Sequence, residues 1–360
     1  MNTFEQRING IRAVLNKSQA ALINNSNNVY YFSGVQNCEG YILVTNDESY
    51  LFVDFRYYES AKKNCSYCKV VEFTSLYNSL KTVLKDCCIN SLLIENDSVT
   101  LSLYNRLIQE FNSVGISVIS DDTLIKAINN LRIIKSDAEI KFIAEAQKIT
   151  EKAYIEVLNY VKPGVTERTV AVELEYLLRK FGADGVSFDL ITITGKNTSL
   201  PHGVPGDNII REGDFFTMDI GALYKGYHSD MTRTVAVKRC DEYQREIYNI
   251  VYDAQTTALS GVKSGVKASD IDKTARDIIT EHGYGKCFGH STGHGVGLDI
   301  HEMPYVSTKS EMILSENMVI TVEPGIYLEN RFGVRIEDMV LVKRDSCFNF
   351  AALSKELIIV

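Results

Sequence analysis

The chain has 360 residues, of which 45% are hydrophobic, and this is typical of about two globular domains with full hydrophobic cores. Its 46 acidic residues outnumber its 38 lysines and arginines, and the basic residues are scattered, so nucleic acid is not an expected partner. No apolar run is long enough to cross a bilayer, and the sequence after Met1 lacks the basic-then-apolar order of a signal peptide, so we expect a cytoplasmic protein with no membrane partner.

The first part of the chain alternates between apolar, strand-like runs and helical patterns. Strands are predicted at residues 20–23, 41–45, 50–53, 70–73, 92–95 and 116–120, and helices at 4–15, 75–85 and 101–111. The alternation predicts an α/β domain over residues 1–125. We expect the chain to cross to a second domain within residues 122–136.

The second domain is predicted over residues 126–360. Thr166 is the expected N-cap of its second helix, without a capping box because Thr169 stands where Glu or Gln would be needed, and Gly182 ends that helix. Strands carrying polar residues alternate with the later helices. Helices are predicted at residues 137–160, 167–181, 241–259 and 269–281.

Potential metal ligands occur in order through this second domain. Four carboxylates would balance two divalent cations, and one imidazole among many oxygens favours Mn²⁺, Co²⁺, Fe²⁺ or Zn²⁺ over Ca²⁺. A pair of such ions generates hydroxide near neutral pH, so the pattern predicts a dinuclear metallohydrolase. The five candidates are Asp219, Asp230, His294, Glu323 and Glu337.

Ion pairing is the simplest alternative for these acids. Asp219 and Glu323 lie in apolar, strand-like runs, where an unpaired carboxylate would cost several kcal/mol. Arg233 and Arg335 can neutralise one or two carboxylates, which leaves others without a cation. Metal ions therefore explain the set better.

The histidines support this interpretation. Three of the six, His290, His294 and His301, lie close together in a glycine-rich stretch, and His202 lies in a Pro/Gly-rich loop. The glycines argue against a helix, and we expect them to let the backbone approach a metal closely. His228 has no assigned role, and residue 282 follows a helical pattern and is expected to be structural.

Five segments together resemble the pita-bread metallopeptidases, specifically the aminopeptidase P and prolidase branch. The resemblance covers nearly the whole chain, and no ligand position departs from the family pattern. The segments are Asn197–Gly203, the Asp219/Asp230 pair, 289–302, Thr321–Tyr327 and Val334–Asp338.

The resemblance implies roles for the ligands. Asp219 would chelate one metal, His294 and Glu323 would be terminal ligands of the other, and Asp230 and Glu337 would bridge both. Glu323 would also take the proton from the nucleophilic water. Mn²⁺ is the expected ion, with Co²⁺, Zn²⁺ or Fe²⁺ as alternatives.

The resemblance also implies the catalytic histidines and the fold. His202, His290 and His301 would bind the substrate carbonyl, stabilise the oxyanion and move protons to the leaving nitrogen. The expected architecture is an α/β creatinase-like N-terminal domain and an α+β pita-bread domain with a pseudo-twofold curved antiparallel sheet. Similar segments at 164–166 and 265–269 suit that symmetry. A homodimer is expected.

The implied activity is hydrolysis of the Xaa-Pro bond at the N-terminus of short peptides with proline second, or in dipeptides. A proline nitrogen carries no hydrogen, so a site that holds the free amine and the scissile carbonyl on two metals suits it. The sequence leaves dipeptidase and aminopeptidase open. Methionine aminopeptidase has the same five ligands but typically lacks such an N-terminal domain, and a non-catalytic binding module would be expected to have lost ligands.

Other motifs in the sequence do not indicate a different function. Cys65 and Cys68 form a lone C-x-x-C with no second pair at zinc-finger spacing, and we expect all eight cysteines to be free, buried thiols. No G-x-S-x-G segment occurs, which argues against a serine hydrolase.

Overall fold

A computed structural model describes residues 4–360, and it divides the chain into two compact units, Met1–Arg132 and Ile133–Val360. The division falls within the predicted crossing at residues 122–136. Between residues 4 and 360, no helix combines the length and the apolar character that crossing a membrane requires.

The first unit is built on one six-stranded mixed sheet in the order β4-β3-β2-β1-β5-β6. Helices α4 and α5 bury apolar residues against it, among them Leu84 and Phe111. Its helices are α1 (Phe4–Arg12), α2 (Ser26–Ser33), α3 (Phe55–Asn64), α4 (Leu76–Asp86), α5 (Leu101–Asn112) and α6 (Thr123–Arg132). Its strands are β1 (Gln19–Ile23), β2 (Gly40–Val44), β3 (Ser49–Val53), β4 (Lys69–Glu72), β5 (Ser91–Ile94) and β6 (Ser117–Ile119).

All six strands predicted for this unit are confirmed, but α2, α3 and α6 were missed. Helix α3 buries only Ala61, and alanine is the only aliphatic residue in its sequence, so it lacks the apolar content that is typical of a core-facing helix. Helix α2 begins in an asparagine-rich segment that is typical of a turn, and the Asn25 side chain caps it by accepting from the N–H groups of Asn27 and Asn28.

The second unit has four long helices, α7 (Asp137–Val157), α8 (Glu167–Lys180), α9 (Glu242–Ser260) and α10 (Ala268–Glu281). All four predicted helices are confirmed. Thr166 caps α8 by accepting from the N–H of Thr169, and a 3₁₀ turn extends α7 to Tyr160. His282 is the C-cap residue of α10, which agrees with its predicted structural role.

The strands of this unit pair antiparallel in four sheets. The orders are β11-β10-β7, β12-β9-β8, β14-β13-β15-β18-β19 and β16-β17. Helices α7 and α8 pack on β9 and β12, and α9 and α10 pack on β15 to β18. The strands are β7 (Gly185–Val186), β8 (Ile191–Thr194), β9 (Phe215–Ile220), β10 (Ala222–Tyr224), β11 (Tyr227–His228), β12 (Met231–Ala236), β13 (Gly293–Gly295), β14 (Glu302–Val306), β15 (Val319–Val322), β16 (Gly325–Leu328), β17 (Phe332–Arg335), β18 (Asp338–Val342) and β19 (Cys347–Asn349).

Strand alternation separates the core of this unit from its polar face. On β9, Phe216, Met218 and Ile220 belong to the cluster beneath α7 and α8. Because successive side chains of a strand point to opposite faces, Asp219 lies on the other side. Strand β9 therefore packs one face against α7 and α8 and carries Asp219 on its opposite face.

All eight cysteines are free thiols, as predicted. The expectation that they are buried holds for Cys38, Cys65 and Cys68, whereas four others are half-buried and Cys88 is exposed. The prediction overestimated their burial because several cysteines lie on partly exposed helices and loops.

Candidate metal centre and active site

The predicted site residues line one cavity of about 580 Å³ in the second unit. All five candidate ligands and the three candidate catalytic histidines contribute to its wall. Apolar residues form most of the remaining wall, and these are Phe188, Leu190, Ile191, Pro201, Val204, Pro205, Ile300 and Tyr305. The apolar wall could not be predicted, because nothing in its local sequence distinguishes it from a hydrophobic core.

Five different strands or strand ends bring the ligands to this cavity. Asp219 is on β9, Asp230 precedes β12, His294 is the middle residue of β13, Glu323 follows β15, and Glu337 precedes β18.

Three of the ligands lie closest together. Asp230, His294 and Glu337 each offer one ligand atom, and these atoms lie within 4.8 Å of one another. His294 Nε2 lies 3.5 Å from Asp230 Oδ2 and 3.3 Å from Glu323 Oε1. His294 Nδ1 donates to the Gly295 carbonyl over 3.0 Å. That bond fixes the ring so that Nε2 faces the carboxylates.

The site concentrates negative charge away from water. Burial first, and then repulsion from neighbouring carboxylates, raises the pKa of Asp230 and of Glu337 well above the usual range. Burial alone would raise the pKa of Glu323 as well, but the hydrogen bond and charge of His294 outweigh it and lower that pKa. Among residues 4–360, Arg335 is the only lysine or arginine that lines the cavity.

The hydrogen bonding of the Asp219 carboxylate indicates whether cations would fit in this cavity. Its Oδ2 accepts from Arg335 Nη2 over 2.7 Å, while its Oδ1 is buried and has no hydrogen-bond partner. An unsatisfied buried acceptor costs about 1–3 kcal/mol, which a cation would offset. Four carboxylates facing one guanidinium, with an orphaned oxygen among them, fit a pair of divalent metal ions.

Hydroxyl groups orient two of the carboxylates. Thr232 Oγ1 donates to Glu337 Oε2 over 2.7 Å, and Thr321 Oγ1 donates to Glu323 Oε1 over 3.1 Å. Arg335 Nε donates in turn to Thr232 Oγ1 over 3.1 Å. The carboxylates are therefore held before any ligand arrives.

His290 belongs to a partly buried chain of hydrogen bonds. Its Nδ1 donates to the Ser291 carbonyl over 2.8 Å, and its Nε2 lies 2.9 Å from the Tyr327 hydroxyl. Arg335 Nη1 donates to the same hydroxyl over 2.8 Å. Burial lowers the pKa of His290 and raises that of Tyr327 to about 12. Tyr327 lies in the Thr321–Tyr327 segment, but no role was predicted for it from the sequence.

The other two histidines, His301 and His202, are both exposed. The ring of His301 meets that of His294 edge-on, with centroids 4.3 Å apart. Burial first, and then the charge of His294, lowers the pKa of His301. His202 is exposed in the loop after the 3₁₀ helix Gly195–Ser199 and lines the cavity.

Helix α10 anchors the segment that carries His290. Arg276 donates to the carbonyls of Phe288 and His290, each over 2.9 Å. Asp272 is wholly buried and accepts from Arg276 and from the N–H and hydroxyl of Thr292. These contacts could not be predicted from the sequence, because Arg276 and Phe288 are 12 residues apart along the chain and Asp272 and Thr292 are 20 residues apart.

Two sequence-based interpretations need correction or completion. Arg233, considered as a countercharge for the ligands, instead pairs with Asp338 over 2.7 Å. His228 does not line the cavity, and its Nδ1 lies 2.8 Å from Ser187 Oγ.

The glycines around His294 also act differently from the prediction. A Cβ at Gly293 would lie 2.0 Å from the Thr321 carbonyl oxygen, and one at Gly295 would lie 2.2 Å from the Met303 carbonyl oxygen. The close approach that they permit is therefore to neighbouring strands rather than to a metal.

A buried ion pair lies beside His301. Lys135 Nζ is 2.5 Å from Glu302 Oε1, and the two side chains are 1% and 10% exposed. Replacing Lys135 with methionine removes the ammonium from a buried carboxylate, so we expect the free energy of unfolding to fall by about 3–5 kcal/mol. Calorimetry would check this. Lys148→Met serves as the control, because Lys148 pairs with Glu145 on an exposed surface.

An equal loss of stability in both variants would contradict the assignment of a buried pair. The double variant Lys135→Met/Glu302→Gln is expected to recover part of the loss, since it removes both charges.

Family models match both parts of the chain. Residues 141–344 match metallopeptidase family M24, and residues 7–134 match the creatinase/prolidase N-terminal domain. The chain belongs to metallopeptidase family M24. The architecture predicted from sequence is thereby confirmed, with a creatinase-like N-terminal domain followed by a pita-bread M24 domain.

Similar M24 proteins match over their full length. A protein of Pyrococcus horikoshii named Xaa-Pro dipeptidase is 39% identical over 363 residues, covering 99% of this chain and 100% of that one. The structure of Xaa-Pro dipeptidase from Bacillus anthracis is 38% identical, with a TM-score of 0.95 and coverage of 99% and 100%. The structure of X-Pro aminopeptidase from Thermotoga maritima is 36% identical, with a TM-score of 0.89 and coverage of 99% of each chain.

Proposed function

We propose that this protein is a dinuclear metal-dependent exopeptidase that hydrolyses the Xaa-Pro bond of dipeptides or of short peptides with proline second. The observation that carries the proposal is the single cavity that brings five metal-ligand side chains together with three histidines. The names of its M24 relatives, Xaa-Pro dipeptidase and X-Pro aminopeptidase, support the substrate class.

The metal ions would be held by Asp219 on one side, by His294 and Glu323 on the other, and by Asp230 and Glu337 between them. When bound, two such ions supply a hydroxide near neutral pH and polarise the scissile carbonyl. Mn²⁺ is our proposed ion, and the oxygen-rich donor set supports it. A homodimer and a cytoplasmic location stay predictions from the sequence.

Side chains of the protein itself would accept and donate the protons of the reaction. Glu323 is the carboxylate whose pKa is lowered, so it is ionised and can accept the proton of the attacking water. His290 and His301 have lowered pKa values and are neutral near pH 7. Neutral imidazoles can donate a hydrogen bond to the oxyanion, and His202, in the exposed loop, is assigned to the departing nitrogen.

The cavity wall suits a proline side chain. A pyrrolidine ring is apolar and rigid, and its nitrogen has no hydrogen to offer a peptidase. The apolar side chains Phe188, Ile300 and Tyr305 line the cavity together with the ligands. We assign this apolar wall to the ring of the residue after the scissile bond.

Hydrolysis of Ala-Pro and Ala-Pro-Ala by the Mn²⁺-loaded protein tests the proposal, with Ala-Ala as the control. Cleavage confined to Ala-Pro would make the protein a dipeptidase, and release of alanine from the tripeptide would make it an aminopeptidase. Removal of metal with a chelator should abolish either activity, and Mn²⁺ should restore it. No cleavage of either peptide, with two ions bound per chain, would contradict the proposal.

A further inference from the structure

Glu167 is a wholly buried carboxylate at the first position of α8. It does not line the cavity. Its environment is polar, because both carboxylate oxygens accept hydrogen bonds from amide groups. The helix N-terminus also favours a negative charge at this position.

The four donors to Glu167 come from the two ends of one loop. At the start of the loop, the N–H of Thr194 and the side-chain amide of Asn197 donate to Oε1 over 2.8 and 2.9 Å. At its end, the N–H of Gly206 and the side-chain amide of Asn208 donate to Oε2, each over 2.9 Å. One carboxylate thus joins two chain segments that are twelve residues apart.

The loop between these ends forms part of the cavity wall. Its residues 200–208 contain no helix or strand, so no ladder of backbone hydrogen bonds fixes their position. Pro201, His202, Val204 and Pro205 all line the cavity. Other bonds also hold the loop. The N–H groups of Glu167 and Arg168 donate to the carbonyls of Asn208 and Gly206 over 3.0 and 2.9 Å. Gly333 N donates to Thr198 Oγ1 over 2.8 Å, and Arg335 Nη1 donates to the Pro201 carbonyl over 3.2 Å.

We propose that Glu167 is a positioning residue for the hydrolytic reaction, and that it clamps both ends of this loop so that His202 is held at the scissile bond. The inference rests on the proposed function. Catalytic groups must be held to within a fraction of an ångström, and a loop without secondary structure needs such a clamp.

Glu167→Gln tests the clamp with little change in size. A glutamine offers one oxygen, so its amide must face the backbone N–H of Thr194 or that of Gly206, whichever way it turns, even if the neighbouring asparagine amide reorients. That N–H then loses its side-chain acceptor, and the loop is held less firmly at that end. We expect kcat and kcat/KM to fall together by about 10²-fold, because the displaced group acts in the transition state, while the metal content stays unchanged.

A double-mutant cycle separates positioning from general damage. If Glu167 acts through His202, the double variant Glu167→Gln/His202→Ala should match His202→Ala within about twofold in kcat. Multiplied losses in the double variant would overturn the proposal. If Glu167→Gln does not fold, Asn208→Ala removes one of the four donors and should show a smaller loss in the same direction.

The matched control is Glu139→Gln. Glu139 is also buried near the start of a helix in this unit, and it accepts from Ser136 and Tyr227, but it does not line the cavity. We expect this variant to lose stability with kcat unchanged.

Amide hydrogen exchange gives a readout that does not depend on turnover. In Glu167→Gln the N–H of Thr194 or that of Gly206 should exchange faster than in wild type, and neither should change in Glu139→Gln. If Glu167→Gln showed unchanged amide exchange and normal turnover, the proposed role of Glu167 would be wrong, whereas the proposed function of the protein would not be affected. An inactive wild type on both peptides would instead overturn the proposed function itself.

Discussion

Replacing Glu337 with alanine is expected to abolish nearly all turnover and to reduce the bound metal from two ions per chain to about one. Glu337 is 1% exposed and shares its surroundings with Asp230 and His294, whose ligand atoms lie within 4.8 Å of its own. A carboxylate between two ions both holds them and keeps them at the spacing that one hydroxide can span. Elemental analysis of the purified variant and a peptide-hydrolysis assay would measure the two effects.

Asp230→Ala should behave in the same way, since Asp230 is the other proposed bridging ligand. Glu329→Ala provides the matched control, because Glu329 is an exposed carboxylate after β16 and should keep both metal and activity. Near-normal turnover in Glu337→Ala with two ions bound would remove Glu337 from the bridging position.

Replacing Glu323 with glutamine is expected to lower kcat by about 10²–10⁴-fold, the usual contribution of a general base. Glutamine keeps the shape and one oxygen that can accept from Thr321, so the local fold should survive. It cannot carry the negative charge that His294 favours at this position, and it cannot take a proton from water. Steady-state kinetics at saturating metal would measure the loss.

Glu316→Gln controls for a glutamate-to-glutamine change at an exposed position just before β15. A Glu323→Gln protein that keeps full metal occupancy and loses less than about tenfold in kcat would show that another group accepts the proton.

Two of the candidate ligands, Asp219 and Glu323, could be picked out from the sequence because each lies in an apolar, strand-like run. Asp219 stands between Met218 and Ile220, which belong to the core beneath α7 and α8. A carboxylate at such a place is costly without a cation, so its residue type carries information by itself. The helices of the second unit were readable for a related reason, since each buries one apolar face.

The groups that hold the site in place could not be predicted from the sequence. Glu167, the Asp272–Arg276 pair and Tyr327 act through hydrogen bonds to segments that are distant along the chain. A buried glutamate at a helix start looks, in sequence, like an ordinary first-turn acid that favours the helix dipole. Helix α3 was missed for a different reason, because it is largely exposed and its sequence contains few apolar residues.

The glycines beside His294 affect how the results of a mutational scan of this protein should be interpreted. An alanine at Gly293 or Gly295 would have to displace a backbone carbonyl of a neighbouring strand, since its Cβ would lie 2.0 or 2.2 Å from the oxygen. Both positions would score as essential, in the same range as the ligand between them. Neither glycine has a side chain that could act on a substrate, so intolerance at these positions reports the spacing between strands rather than the chemistry of the cavity.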